Sequence, residues 1–305
     1  MEKILIFGHK NPDTDTICSS IALAELQKKL TDCEIEAVRL GELNKETEYA
    51  LNYFKVEAPR TVEGIEEGQA VILVDHNEFS QSVEGIENAK IKMVVDHHKI
   101  ANFCTSEPLY YIAEPVGCTS TIIYGLYQRN NIEICPKTAG LMLSAIISDT
   151  LLFKSPTCTK LDVEVAEKLA EIAGVKIEEY GLEMLKAGTD LSSYTEKELL
   201  NLDAKKTEKN GVKYMVAQVN TVSIEDVLTR KEKLEEVMKE AITSEGLSLC
   251  MFVITDIVNT DSKAIVLGDR IDIIEKSFKI EDNIIDMPGV VSRKKQILPM
   301  IEANV

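Results

Sequence analysis

The sequence predicts an α/β protein of two domains, with a parallel sheet in the N-terminal domain and a mixed sheet in a smaller C-terminal α/β domain. In the first part of the chain, short apolar runs alternate with helical patterns, which is typical of a parallel sheet covered on both faces. After residues 187–198 (AGTDLSSYTEKE), which are rich in turn-forming residues, the pattern changes to strands around one charged helix. A chain of 305 residues is long enough for two domains.

The elements of the first domain follow from this alternation. The strands are expected at residues 3–7 (KILIF), 34–39, 71–75 and 92–96. The helices are expected at about 17–30, 46–54, 119–130, 137–147, 162–173 and 177–187, and Asp149 then falls just past the fourth of them. In the second domain the strands are expected at 212–219, 248–255 and 263–268, with a long helix at 224–242. The domain boundaries are therefore 1–188 and 195–305, with a linker at about 189–194.

All four histidines lie within the first 98 residues, and each stands in or beside an acidic segment at the end of an apolar run. The three groups are His9 with Asp13 and Asp15, Asp75 with His76, and Asp96 with His97 and His98. In parallel sheets, ligands bind beyond the carboxyl ends of the strands, where these groups are expected to meet. Because imidazole and carboxylate are the usual ligands of divalent transition metals, the sequence predicts a metal site there.

The acids of the first two groups suggest more than one ion. Asp13 and Asp15 are two residues apart, so in an extended loop they would project to opposite sides and could serve two ions. The alternative is that either acid caps the following helix. Asp75 has two oxygens and could bridge two metals, although an ordinary strand-end acid is the other interpretation.

The three adjacent residues Asp96, His97 and His98 should point in different directions. We therefore expect one histidine to bind metal and the other to face the substrate, with Asp96 accepting the remaining N–H of an imidazole. For His76, a supporting or core role is favoured over metal binding.

Composition narrows the range of functions. The net charge of −17 (34 basic against 51 acidic residues) argues against a nucleic-acid partner, because such proteins normally present a basic face. No apolar run is long enough for a membrane span or a signal peptide, so no membrane partner is expected. Seven scattered cysteines without a CxxC pair indicate reduced thiols in a cytoplasmic protein.

Two short basic runs stand out against this acidic background. Lys205 and Lys206 form one, and Arg293, Lys294 and Lys295 form the other. Arginine binds phosphate oxygens through two parallel hydrogen bonds, and lysine adds a compact charge. Each run alone could equally be a solvated surface.

Taken together, these motifs resemble those of the family II inorganic pyrophosphatases of the DHH phosphoesterase superfamily. The similar segments are GHKNPDTD at the start, VDHNE, VDHHK, ISDT, DAK at 203–205 and SRKKQ at 292–296, so the resemblance covers the whole chain. The last motif is the specific one, because the DHH signature is shared with phosphodiesterases.

The resemblance implies a role for each site residue. It assigns His9, Asp13 and Asp75 to one metal ion, and Asp15, Asp75, His97 and Asp149 to a second, with Asp75 bridging. It assigns His98 to the bridging oxygen or the leaving phosphate, and Lys205, Arg293 and Lys294 to the substrate phosphates.

The implied activity is hydrolysis of pyrophosphate to two phosphates by a two-metal centre with a bridging water as nucleophile. The first domain would be the DHH metal-binding catalytic domain, and the second would clamp the substrate, with the linker as hinge. The cofactor would be two Mn²⁺ per subunit, with Co²⁺ also plausible and Mg²⁺ arriving with the substrate. The family also implies a homodimer formed through the first domain.

Two other functions are compatible with parts of the pattern. A DHH-type phosphodiesterase acting on short oligonucleotides or nucleotides would carry a Gly-rich loop with a histidine in its second domain. This chain has no Gly-Gly pair and no histidine after His98. A non-catalytic, metal-dependent binding module would be favoured by an incomplete ligand set, whereas the set is complete here.

Overall fold

The computed structural model describes residues 2–305, and the side chains of Lys294 and Lys295 are outside the described part, as is Met1. The chain forms two compact units, the first ending at Gly188 and the second spanning Thr189–Val305. Each unit contains its own sheet with helices, and the two sheets differ in topology. The predicted α/β fold class, with a parallel first sheet and a mixed second sheet, is confirmed.

The first unit contains a six-stranded sheet in which all paired strands are parallel, in the order β3-β2-β1-β4-β5-β6. The strands are β1 Lys3–Phe7, β2 Glu34–Arg39, β3 Arg60–Thr61, β4 Ala70–Val74, β5 Lys90–Asp96 and β6 Tyr110–Ala113. The short strands β3 and β6 at the two edges were not predicted. Strand order reverses between β1 and β4, and the carboxyl side of such a reversal is where open parallel sheets bind ligands.

Six α-helices of the described residues accompany this sheet. They are α1 Thr14–Leu30, α2 Lys45–Phe54, α3 Thr119–Arg129, α4 Pro136–Thr150, α5 Lys160–Ala173 and α6 Ile177–Gly188. Helix α1 begins three residues before the predicted start because the side chain of Asp13 caps it, accepting a hydrogen bond from the Thr16 N–H at 2.9 Å. Helix α4 is also longer than predicted, and Asp149 lies in its last turn rather than beyond its end.

The second unit contains a five-stranded sheet in the order β11-β10-β9-β8-β7, in which β8 and β9 are parallel and the other pairs are antiparallel. Its strands are β7 Ala204–Lys209, β8 Val212–Thr221, β9 Leu249–Asp256, β10 Asp261–Gly268 and β11 Ile284–Met287. Its helices are α7 Glu196–Leu202, α8 Ile224–Leu228, α9 Lys231–Glu245, α10 Asp272–Glu275 and α11 Leu298–Asn304, with a π-helical turn at Arg293–Ile297.

Two features of this unit differ from the prediction. The long helix expected at 224–242 is two helices, α8 and α9, separated at residues 229–230. Strand β7 (AKKTEK) was missed because it is a polar edge strand that lacks the apolar alternation by which strands are recognised. In the middle of the sheet, every residue of β9 is buried, with one apolar cluster on each face. Within residues 2–305, none of the helices combines the length and the apolar character that crossing a membrane requires.

Candidate metal centre

The carboxyl ends of β1, β4 and β5 bring the predicted ligands together. His9, just beyond β1, places its Nε2 atom 3.3 Å from Asp13 Oδ2 and 3.4 Å from Asp75 Oδ2. The ligand atoms of these three residues lie within 4.8 Å of one another, which is close enough to hold one metal ion.

A second group lies beside the first. It contains Asp15 from the first turn of α1, Asp75, His97 and Asp149, and its ligand atoms also lie within 4.8 Å of one another. The Nε2 atom of His97 is 3.4 Å from Asp75 Oδ1 and 3.7 Å from Asp149 Oδ2. Asp13 and Asp15 thus fall into different groups, but not for the reason given by the sequence. Asp15 is helical and Asp13 is the N-cap of that helix, so they do not alternate along an extended loop.

Asp75 is shared by both groups. Its Oδ2 faces His9 and its Oδ1 faces His97, and the residue is 1% exposed. Its φ of 56° lies in the left-handed region, which aspartate adopts more readily than most residues. The Asp75 N–H remains tied to the sheet through a 3.0 Å hydrogen bond to the Val95 carbonyl. One buried carboxylate between two ligand groups is the arrangement expected of a bridge between two ions.

The two adjacent histidines do not diverge as predicted. Their ring centroids are 4.3 Å apart, and the Nδ1 atom of His98 also approaches Asp75 Oδ1, at 3.6 Å. They differ in what holds them. His97 donates from Nδ1 to the Val116 carbonyl at 3.0 Å, which leaves the Nε2 lone pair able to bind a metal ion. His98 has its Nδ1 3.0 Å from Asp96 Oδ1, and its side chain is 52% exposed against 14% for His97.

Three hydroxyl-bearing residues that sequence reasoning missed hold the buried carboxylates. Asp75 accepts hydrogen bonds from Thr16 Oγ1 at 2.7 Å and from Thr119 Oγ1 at 3.2 Å. Asp15 accepts from Ser19 Oγ at 2.6 Å and from the Thr119 N–H at 2.7 Å. Thr16 and Ser19 follow the first motif closely, but Thr119 is 104 residues from Asp15 and carries no local signal of its role.

Asn77, also missed, joins the loops that follow β4 and β5. It is buried, and its amide nitrogen donates to Asp96 Oδ2 at 2.6 Å and to the Lys99 carbonyl at 3.0 Å. Its amide oxygen accepts from the Ala101 N–H at 2.9 Å. Asn77 thereby fixes the carboxylate that orients His98.

His76 belongs to neither ligand group. It is buried, with Nδ1 2.9 Å from the Val74 carbonyl and Nε2 3.0 Å from Ser82 Oγ. Both ring nitrogens therefore have protein partners. This is the environment of a core histidine, one of the two roles favoured from the sequence.

The pKa values of the ligands reflect a crowded set of charges. Burial lowers the pKa of His9, but its hydrogen bonds to Asp13 and Asp75 outweigh this and raise the pKa to about 11. Burial likewise lowers the pKa of His97, and Asp75 and Asp15 raise it to about 9. The imidazoles thus take up protons where no metal cation is bound.

The carboxylates respond in opposite directions. Burial and the charge of Asp75 raise the pKa of Asp15 to about 6. Burial, Asp15 and Asp75 raise the pKa of Asp149 well above its usual range. Asp75 itself is buried, yet His9 and His97 hold its pKa well below the usual range. Buried like charges of this kind are stabilised by bound cations, and the mixed nitrogen and oxygen donors suit Mn²⁺ or a similar ion.

The predicted phosphate-binding residues lie in the second unit. Arg293 donates from Nη2 to Asp203 Oδ1 at 2.8 Å and from Nη1 to the Asp203 carbonyl, while its Nε is buried and has no hydrogen-bond partner among the described residues. Lys205 is exposed on β7, two residues beyond Asp203. The side chain of Lys294 lies outside the described residues. A buried guanidinium N–H without a protein partner is a donor that a bound water or anion could satisfy.

Comparison with known proteins places this site in a family. The chain matches the N-terminal domain of the DHH family at residues 3–146 and the DHHA2 domain at residues 182–304. It is 57% identical to a manganese-dependent inorganic pyrophosphatase of Bacillus subtilis (strain 168) over 304 residues, covering 99% of this chain and 98% of the relative. An Exiguobacterium protein provisionally given the same name is 55% identical, with the same coverage.

A solved structure agrees with these relatives. A Methanococcus jannaschii protein provisionally assigned to the family II inorganic pyrophosphatases superposes with a TM-score of 0.70 at 44% identity, covering 99% of both chains. The chain therefore belongs to the DHH family and, within it, to the manganese-dependent, family II inorganic pyrophosphatases.

Proposed function

We propose that this protein hydrolyses inorganic pyrophosphate to two phosphates at a two-metal centre. The observation that carries the proposal is the position of Asp75, whose two oxygens each belong to a separate group able to hold a cation. The name of the Bacillus subtilis relative supports the substrate.

The residues of the first unit would hold the two ions. His9, Asp13 and Asp75 would bind one, and Asp15, Asp75, His97 and Asp149 the other. Mn²⁺ is the expected ion, with Co²⁺ as an alternative and Mg²⁺ arriving with the substrate. Ions held by these residues would neutralise phosphate charge and lower the pKa of water, which would supply the nucleophile.

His98 would act on the substrate. Its hydrogen bond to Asp96 raises its pKa, against the opposing effect of burial, and ties up Nδ1. In the protonated imidazole, Nε2 would be able to donate a hydrogen bond or a proton to a phosphate oxygen. The exposure of the His98 ring supports this role.

Lys205, Arg293 and Lys294 would neutralise the substrate phosphates. Asp203 holds two nitrogens of the Arg293 guanidinium, so that the group is oriented before substrate binds. The unpartnered Nε of Arg293 supports an anion as the missing acceptor. Pre-positioned cations lower the barrier to phosphoryl transfer, because the reaction depends mainly on positioning and charge neutralisation.

The test is phosphate release from pyrophosphate by the purified protein with Mn²⁺, beside a nucleotide phosphodiester and a short oligonucleotide. We expect rapid phosphate release from pyrophosphate and no turnover of the other two substrates. Turnover of the oligonucleotide with pyrophosphate untouched would refute the proposal and favour a phosphodiesterase.

We further propose a cytoplasmic homodimer. The seven cysteines are all free thiols, which supports a reducing compartment. Strand β6 lies at an edge of the first sheet and exposes Tyr110 (73%), which supports pairing through the first unit. Sedimentation of the protein as a monomer at micromolar concentration would contradict the dimer.

A further inference from the structure

Asp162 is a buried carboxylate outside both ligand groups. Its Oδ2 atom accepts from the Thr159 N–H and Thr159 Oγ1, each at 2.7 Å, which completes the capping box that begins α5. Two more donors come from far along the chain. The Gly117 N–H donates to Oδ2 at 2.8 Å and Thr121 Oγ1 donates to Oδ1 at 2.6 Å. A helix cap needs only the first pair, so the second pair has another role.

Residues 116–121, which we call the anchor segment, contact three predicted metal ligands. The Val116 carbonyl accepts the Nδ1–H of His97 at 3.0 Å. The Thr119 N–H donates to Asp15 at 2.7 Å, and Thr119 Oγ1 donates to Asp75 at 3.2 Å. The anchor segment therefore sets the orientation of three residues that share one ligand group.

The anchor segment contacts more residues of the four-residue ligand group than of the group formed by His9, Asp13 and Asp75. All three contacted residues belong to the four-residue group, and only Asp75 also belongs to the other. In the described part of the chain, no hydrogen bond joins the anchor segment to His9 or Asp13. A displacement of the segment should therefore disturb one ion more than the other.

The fit between Asp162 and the anchor segment leaves no spare room. A Cβ atom added at Gly117 would lie 2.8 Å from Asp162 Oδ2 and 3.0 Å from Thr150 Cγ2. The φ of Gly117 is outside the left-handed region, so the close approach and not the backbone conformation requires glycine. Thr150 follows Asp149, the fourth residue of the same ligand group.

We propose that Asp162 is a positioning residue for the second metal ion, the one assigned to Asp15, Asp75, His97 and Asp149. It acts by fixing the anchor segment and touches neither ion nor substrate. The inference rests on the two-metal centre proposed above. The inference distinguishes the two ions, because loss of Asp162 should weaken the binding of the second ion and leave that of the first unchanged.

Three variants test the mechanism. Asp162→Ala removes the acceptors for Gly117 and Thr121 together with the carboxylate half of the capping box, while the Thr159 hydroxyl can still accept from the backbone N–H of residue 162. Asp162→Asn should restore binding, because its carbonyl can accept from Gly117 and its amide can donate to the Thr121 hydroxyl. Thr159→Ala is the matched control, since it removes the capping hydroxyl and leaves the bonds of Asp162 to the anchor segment.

A fourth variant approaches the contact from the opposite side. Gly117→Ala inserts a methyl group between the anchor segment and Asp162 while the carboxylate and the cap remain. It should reproduce the Asp162→Ala pattern. It also carries the test should Asp162→Ala fail to fold.

The measurement is titration of the metal-free proteins with Mn²⁺, with free Mn²⁺ read by electron paramagnetic resonance. We expect two ions in the wild type. In Asp162→Ala and Gly117→Ala, one site should weaken about 10- to 100-fold, the usual effect of losing a residue that orients a ligand, while the other stays near wild type. Asp162→Asn should recover most of the loss, and Thr159→Ala should show none.

The outcomes separate this inference from the function it rests on. A wild type that binds a single ion would overturn the two-metal centre itself. Two wild-type ions that Asp162→Ala leaves unchanged, or weakens equally, would overturn only the role of Asp162. So would selective loss in Thr159→Ala, because the effect would then come from the cap of α5.

Discussion

Replacing Asp75 by asparagine should weaken the binding of both metal ions while preserving the fold. Asparagine has the same shape as aspartate and also tolerates the left-handed backbone, which has a φ of 56° here. The hydrogen bond from the backbone N–H of residue 75 to the Val95 carbonyl does not involve the side chain and should persist. The substitution therefore removes the charge and one acceptor oxygen, with little change in packing.

The size of the effect follows from the contacts of the two oxygens. Each oxygen lies 3.4 Å from the imidazole of one predicted ligand, His9 or His97, and Asp75 itself is only 1% exposed. Removing one partner from a buried charged contact costs about 2–5 kcal/mol. Since 1.4 kcal/mol is a factor of ten, each ion should bind about 30- to 4,000-fold more weakly.

Calorimetric titration of the metal-free proteins with Mn²⁺ measures both affinities. Asp13→Asn is the matched control, because it makes the same chemical change to a residue that belongs to one ligand group only. It should weaken the binding of one ion and leave the affinity for the other unchanged. Thermal unfolding of the metal-free variants checks that the fold persists. If Asp75→Asn retains one ion at wild-type affinity, the carboxylate does not bridge and the two-site interpretation is wrong.

Three further predictions concern protons, the two adjacent histidines and the basic run. With pKa values of about 11 and 9 in the metal-free protein, His9 and His97 must lose protons to bind metal, so Mn²⁺ affinity should keep rising with pH from about 7 to 9. Calorimetry in buffers of different ionisation enthalpy should record proton release, and a pH-independent affinity would contradict it. His98→Gln should keep both ions and lose about 10²-fold or more in kcat, whereas His97→Gln should lose the second ion. If Mn²⁺ titration shows equal metal loss in both variants, the assignment of metal binding to His97 and of substrate contact to His98 is wrong. Lys294→Ala should lower kcat by about 10²–10³ with unchanged Mn²⁺ affinity, and loss of bound Mn²⁺ would exclude it from phosphate binding.

The sequence predicted which side chains come together at this edge of the sheet, because strand ends are marked by local pattern. Apolar runs end at Phe7 and Val74, and the next polar side chains are those of the metal centre. The capping and metal-binding roles of Asp13 were posed as alternatives, but one carboxylate can serve both. Its Oδ1 caps α1, and its Oδ2 faces His9.

What the sequence could not supply were contacts between residues distant along the chain. Thr119 reaches Asp15 across 104 residues, and Asp162 reaches Gly117 across 45. Neither contact leaves a periodic or compositional signal, because it depends on how α1, α3 and α5 pack together. The prediction that the side chains of His97 and His98 point in different directions was wrong for a related reason. The chain turns after β5, so the alternation of an extended strand no longer applies.

The spread of the ligands has a consequence for folding. They run from His9 to Asp149, on segments that follow three strands and belong to two helices of the same unit. Each bound ion would therefore act as a reversible cross-link that closes large loops of the first unit, which must be released before that unit can unfold. A ligand that binds only the folded state stabilises it by about 4 kcal/mol at a thousand times its dissociation constant. Among the described residues, those of the second unit belong to neither group, so chelation should lower the stability of the first unit directly and leave the intrinsic stability of the second unchanged.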